Sequence, residues 1–319
     1  MFYYFIKTWV RLALVIFCRR IRIKGSEAFA AEGPLLIVAN HPNSFLDAII
    51  IGAFFKKRVH FLARGDAFHK PWHAKLLRAL SMIPVYRLSE GKENLHLNEV
   101  AFKQSKELLE KNGIVLVFIE GICVQQHALQ PFKKGAGKML MENSSLPGLR
   151  VLPVGIAYHS FREFGKEINL QAGEMIPAKQ FFPNGPEISR IKAFNEKMEN
   201  EISKIIELPQ RRVPPNNGQK ICFTIAGIPG LLIHAPLYFP LKKWLLQKTR
   251  GTVFFDSVLF GILLLLYPLY LFLLAWMAYL AGLNTKIILA SFLLLPLLAL
   301  AAIEFRRILP AKKREIHGN

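Results

Sequence analysis

Cysteine is scarce: the 319 residues hold three, Cys18, Cys123 and Cys222. Three scattered thiols support neither a disulfide framework nor a zinc site, and the chemistry is expected to face a reducing compartment. Acidic residues are also few, with 22 Asp and Glu against 42 Lys and Arg, for a formal net charge of +20. A surplus of that size calls for an anionic partner: membrane headgroups, a phosphorylated substrate or nucleic acid. Nucleic acid fits least well, because the basic residues flank apolar segments and no helix-turn-helix, zinc-finger or RNP-like pattern occurs. No G-x-S-x-G elbow occurs either, so a serine hydrolase has no visible nucleophile. His60, His69, His73, His96, His127 and His159 show no metal-ligand spacing. His69 and His73 are four apart, but Pro71 between them breaks the helix they would need. Cys123, near His127, lacks the third group that would orient a nucleophilic pair. No metal is expected, and repeats and low-complexity tracts are absent beyond the apolar runs.

What the chain does have is apolar length. Hydrophobic residues make up 52%, the mean hydropathy is +0.27, and the excess lies near the C-terminus. Ser257 to Thr285 carries no charge and exceeds the ~20 apolar residues that cross a bilayer. Lys286 marks a turn, and Ile287 to Ile303 is a second uncharged run. Lys242, Lys243, Lys248 and Arg250 precede this pair; Arg306, Arg307, Lys312, Lys313 and Arg314 follow it. Positive charge at both ends predicts a hairpin with both ends cytoplasmic. At the other terminus, Met1 to Phe17 is apolar apart from Lys7, Thr8 and Arg11, with Lys7 and Arg11 on one helical face. An interfacial helix fits that pattern. A cleavable signal is not expected, because the basic residues follow the apolar run. Phe17 before Cys18 also argues against lipoprotein processing.

Between these ends, from about Ile23 to Glu207, short β-branched runs alternate with amphipathic stretches. Strands are expected at Leu35–Ala39, Val59–Leu62, Met82–Tyr86, Ile114–Ile119 and Val151–Ala157, with a hairpin-like piece at Glu167–Ile176. Helices are expected near Ser44–Phe55, Pro71–Leu80, Asn94–Lys111, Gly135–Glu142 and Ser189–Ile206. The alternation predicts an α/β fold: a mixed, mostly parallel sheet with helices on both faces. The expected organisation is an interface helix (1–22), the α/β domain (23–210), a linker with a broken interfacial segment (211–250), a two-helix transmembrane hairpin (251–304) and a basic cytoplasmic tail (305–319). The break is placed at Ile221–Tyr238, which holds Pro229, Pro236 and several Gly.

Candidate chemistry gathers at strand ends, where ligands of such sheets bind. Leu35–Ala39 runs into Asn40-His41-Pro42-Asn43, and Ser44 starts a helix with Asp47 as its capping-box acid. A carboxylate beside an imidazole fixes its tautomer and stabilises its charged form, which suits a general base. Glu120-Gly121 ends the strand Ile114–Ile119, where a carboxylate is costly unless it has a task. Lys133 and Lys134 precede a helix N-terminus and form an anion site or a solvated basic turn. Arg87 ends the third strand and grips a phosphate or pairs with Glu90 or Glu93.

As a set these residues resemble the glycerol-phosphate and lysophosphatidate acyltransferase superfamily. Four blocks carry the resemblance in order: Asn40-His41 through Asp47; Ile83-Pro84-Val85-Tyr86-Arg87; Phe118-Ile119-Glu120-Gly121 with Phe132-Lys133-Lys134-Gly135; and Val151-Leu152-Pro153-Val154. The resemblance implies His41 as base and Asp47 as its orienting partner, with Arg87, Glu120 and Gly121 binding the acyl acceptor. It implies acyl-CoA or acyl-carrier protein as co-substrate and no other cofactor. The acceptor implied first is 1-acyl-glycerol-3-phosphate, then glycerol-3-phosphate, then another lysolipid or aminolipid. Five residues separate His41 from Asp47, as in certain glycerol-3-phosphate acyltransferases, and the family more often has four. Ile122 and Cys123 replace the Thr-Arg that often follows Glu-Gly, so phosphate charge would be met by Arg87, Lys133 and Lys134. The implied setting is a cytoplasmic membrane face with anionic lipid, as in a bacterial inner-membrane enzyme.

Overall fold

The computed structural model describes residues 2–86, 97–181, 185–210 and 215–308. These residues form two compact units. The first comprises Met1–Leu12, Ile21–Phe161 and Glu167–Pro209; the second comprises Ala13–Arg20, Arg162–Lys166 and Gln210–Asn319.

The first unit is built on a mixed sheet. In chain order the elements as far as residue 205 are α1 (Phe2–Phe17), β1 (Cys18–Lys24), β2 (Leu35–Ala39), α2 (Phe45–Phe54), β3 (Val59–Arg64), α3 (Pro71–Ala79), β4 (Met82–Val85), α4 (Leu97–Glu110), β5 (Ile114–Phe118), α5 (Lys134–Glu142), β6 (Arg150–Tyr158), β7 (Lys166–Ala172), β8 (Ile176–Pro177) and α6 (Glu187–Ile205); the end of α1, the start of β1 and Lys166 count with the second unit. The strand order is β1-β7-β6-β2-β5-β3-β4, with β8 also on β6. β2 runs parallel to β5 and β6, and β3 parallel to β4 and β5, whereas β7 and β8 are antiparallel to β6. All five residues of β2 are fully buried, as a central parallel strand covered on both faces requires. Leu36 and Val38 point into a core with Val115, Val117, Met139, Leu140, Phe194 and Met198, so α5 and α6 cover that face.

Three local expectations differ from the structure. The basic run after α1 belongs to strand β1, because Ile21 and Ile23 alternate with Arg20, Arg22 and Lys24 at the period of a strand. Ser44 does not cap α2 through its side chain; its backbone takes φ 55° and ψ −148° and turns the chain sharply. The third difference lies in the second unit. Residues 221–238, expected to be broken, run within one helix, α7 (Asn217–Lys248), through Pro229, Pro236 and Pro240. A capping box between Asn216 and Gln219 starts that helix.

Packing carries α7 past its prolines, which neighbouring helices permit in apolar surroundings. Gly227 and Gly230 lie so close to α9 (Thr285–Ile308) that a Cβ on Gly230 would sit 2.1 Å from the carbonyl oxygen of Leu298. His234 Nδ1–H donates to Gly230 O at 2.7 Å, and its Nε2 meets the Tyr267 hydroxyl of α8 (Phe255–Leu280) at 3.1 Å. α7, α8 and α9 are each long and apolar enough to cross a membrane, one more than the expected hairpin. At the start of α8, Asp256 and Lys166 form an ion pair of 2.6 Å with both side chains fully buried.

Candidate active site

The site stands where β2, β5 and β6 end. Parallel pairing in register, Ala39 opposite both Phe118 and Val154, brings the ends of β2 and β5 level, while β6 runs on to Tyr158 beside the turn that follows β2. Asn40 then ties the β2 exit to β6: its side chain donates to Ile156 O at 3.0 Å and accepts from Ile156 N at 2.8 Å. The next residue, His41, stacks on the Phe118 ring with centroids 3.9 Å apart and planes 13° apart.

The turn at Ser44 aims the first helical turn of α2 back at the imidazole. Asp47 Oδ2 lies 2.9 Å from His41 Nδ1 and also accepts from Asn43 N at 2.7 Å. Asp47 Oδ1 accepts from the Tyr158 hydroxyl at 2.6 Å. A carboxylate that accepts from all sides places the ring hydrogen on Nδ1 and leaves the Nε2 lone pair for chemistry. Asp47 is fully buried, while the His41 side chain keeps 13% of its surface.

Glu120 sits at the same rim. Its Oε2 accepts from His41 N at 3.1 Å and its Oε1 from Gln130 N at 3.3 Å. Burial raises the Glu120 carboxyl above its ordinary value, and these two backbone donors partly offset the rise. Gly121 turns with φ 63°, and a Cβ there would meet Lys133 Cγ at 2.8 Å, so the Lys133 stem crosses this corner. Lys133 N also bonds Ile119 O at 2.8 Å, and Lys134 opens α5. Both lysine side chains are exposed. The loop between Glu120 and Gln130 closes over the β2–α2 turn: Ser44 N meets Cys123 Sγ at 2.8 Å, and Gln125 donates to Asn43 Oδ1 at 3.2 Å.

Of the residues singled out from sequence, His41, Asp47, Glu120, Gly121 and Lys133 therefore share one rim, with Lys134 next in the chain. Arg87, Glu90, Glu93 and His96 lie outside the described residues. Among the described residues, no three His, Cys, Asp or Glu side chains gather closely enough to hold a metal ion. His127 stacks instead on Phe161, with centroids 5.4 Å apart. Tyr158 was not singled out from the sequence, and Asn40 and Phe118 entered only as members of the matching blocks, without the contacts they make here. The available signal was a tyrosine following the apolar run Val151–Ala157, where its hydroxyl must find a buried partner.

The α/β sheet and the His41–Asp47 pair at its carboxyl edge stand beside a likeness to known proteins. Residues 20–157 match the family model described as Acyltransferase. Lysophosphatidylcholine acyltransferase 2 of Rattus norvegicus is 30% identical over 142 residues, 44% of this chain and 23% of that protein. The 1-acyl-sn-glycerol-3-phosphate acyltransferase of Pseudomonas aeruginosa is 28% identical over 153 residues, 47% of this chain and 55% of that protein. The chain thus spans about a quarter of the first relative and about half of the second. The crystal structure of a 1-acyl-sn-glycerophosphate acyltransferase from Thermotoga maritima superposes with a TM-score of 0.48 at 20% identity, covering 66% of this chain and 81% of that one.

Proposed function

We propose that this protein is a membrane-bound O-acyltransferase that moves a fatty acyl group from a thioester to the free hydroxyl of 1-acyl-glycerol-3-phosphate. The observation that carries the proposal is the His41–Asp47 pair, held by Nδ1 so that Nε2 serves as the base. In the proposed step Nε2 takes the hydroxyl proton while the oxygen attacks the thioester carbonyl. The tetrahedral adduct collapses, the C–S bond breaks, and the departing thiolate receives that proton from the imidazolium. An ester and a free thiol leave, with no acyl-enzyme and no metal. General-base help of this kind supplies ~10²–10⁴-fold, and co-localising two substrates supplies much of the remainder.

Lys133, at the Gly121 corner, and Lys134 beside it are proposed to meet the acceptor phosphate, together with Arg87. The donor is acyl-CoA or acyl-carrier protein. Basic residues before α8 and at the end of α9, including Lys248, Arg250, Arg306 and Arg307, support a cytoplasmic face of an inner membrane for both ends of that helix pair. A second acceptor is favoured by a specific observation: the rat relative is named for lysophosphatidylcholine, and Ile122-Cys123 offers no phosphate-gripping guanidinium.

The test uses the purified protein in lipid nanodiscs, with labelled acyl-CoA and acyl-carrier-protein donors and His41→Ala as control. Glycerol-3-phosphate, 1-acyl-glycerol-3-phosphate and lysophosphatidylcholine are offered in parallel. The expected result is phosphatidate formed from 1-acyl-glycerol-3-phosphate and lost in the variant. Product from either of the other two reassigns the acceptor, and transfer that survives His41→Ala removes the mechanism.

A further inference from the structure

We propose that Tyr158 is a positioning residue for the His41–Asp47 pair: its buried hydroxyl holds the carboxylate and limits how strongly that carboxylate stabilises a charged imidazole. The proposal rests on the reading of His41 as the base. It is not visible from local sequence, because 111 residues separate Tyr158 from Asp47.

The geometry comes from the sheet. β6 lies beside β2 in parallel register, so the last residue of β6 reaches the turn that carries His41 and Asp47. Tyr158 is fully buried, and a buried phenol must place its hydrogen on a protein acceptor. That acceptor is Asp47 Oδ1 at 2.6 Å, the length of a hydrogen bond to a charged oxygen. Asn43 N and His41 Nδ1 share the other oxygen. With each oxygen held from a different element, the carboxylate plane cannot rotate away from the imidazole.

The same bond has an electrostatic effect. A hydroxyl donating to Oδ1 draws negative charge away from Oδ2, so Asp47 stabilises an imidazolium less than a carboxylate without that bond would. The titratable groups around His41 are Asp47 from α2, Glu120 at the end of β5 and Tyr158 from β6; the uncharged Phe118 ring covers one face. Cys123 reaches the neighbouring Ser44 N.

The experiment reads His41 directly. The protein in nanodiscs, carrying ¹³C-labelled histidine, is titrated by NMR as wild type, Tyr158→Phe, Asp47→Asn and the double variant, with the His41 signal assigned by its loss in His41→Ala. In Tyr158→Phe the imidazole is expected to titrate about one pH unit higher. In the Asp47→Asn background the second change is expected to move it no further. Acyl transfer by Tyr158→Phe at pH 7 is expected to fall ~10-fold in kcat with the acceptor KM unchanged. An unshifted titration, or the same shift in both backgrounds, makes Tyr158 a packing residue and overturns the proposal. A shift as expected in a protein that acylates no acceptor upholds the positioning role and sinks the transferase reading instead. Should the Phe variant not fold, 3-fluorotyrosine incorporation provides the second measurement. Its stronger hydroxyl donor must move the His41 titration downward, and no movement overturns the proposal.

Discussion

Two aspartates of this chain occupy nearly the same local position and do different work. Asp47 and Asp256 each sit in the first turn of a helix, α2 and α8, and each is fully buried. Each accepts a backbone N–H, from Asn43 and from Arg162. The difference lies in the side chain that faces them. Asp47 meets the His41 imidazole, which keeps part of its surface. Asp256 meets the Lys166 ammonium, which also donates to Glu163 O at 2.6 Å and lies over the Phe17 ring. On the reading proposed above, the first carboxylate orients a base, whereas the second holds a buried ammonium in place. Burial and helix position alone do not distinguish the two.

The sharpest test separates activity from stability. His41→Ala and Asp47→Asn are expected to lower acyl transfer by ~10²–10⁴-fold, with the unfolding temperature in nanodiscs moving little. Asp256→Asn is expected to do the reverse. It leaves a buried ammonium without its counter-charge, at a cost of ~3–5 kcal/mol. The specific activity of the molecules that remain folded should be unchanged. Replacing the pair together, Lys166→Met with Asp256→Leu, should recover most of that stability, because the desolvation of both charges also disappears. A loss of specific activity in Asp256→Asn at full folding would end the contrast.

Smaller effects sharpen the same comparison at the rim. Gly121→Ala must adopt φ 63° and displace the Lys133 stem, at a cost of about 1–2 kcal/mol. It should raise the acceptor KM more than the donor KM, as steady-state kinetics with each substrate varied would show. Glu120 gives the smallest stability effect and the opposite sign from Asp256. Its folded pKa is raised by burial, so its contribution is fully present below the unfolded value and is lost as pH rises through the folded value. Glu120→Gln should therefore leave the unfolding temperature at pH 7 unchanged or slightly higher and flatten its decline above pH 5, while acyl transfer falls.

Much of this was legible in the residues. The buried strand Leu35–Ala39, the alternation behind the mixed sheet and the pairing of His41 with Asp47 follow from local pattern, since only five residues and one turn separate the two side chains. The continuity of α7 was not legible. Three prolines and several glycines argue for a break on local grounds, and only the close approach of α9 to Gly227 and Gly230 shows why the helix continues. The capping role expected of Ser44 failed for a related reason: Asp47 is occupied by His41, Asn43 and Tyr158 and does not close a capping box.

By itself, then, the sequence determined the class of fold, the basic and apolar character that suits a membrane surface, and the acid–base pair, because each of these is written in neighbouring residues. Only the tertiary structure decided which distant groups complete that pair. Glu120 reaches His41 across 79 residues and Tyr158 reaches Asp47 across 111. Both depend on β2 and β5 ending level and on β6 running past them to Tyr158, a register set by parallel pairing and core packing rather than by any residue near the site.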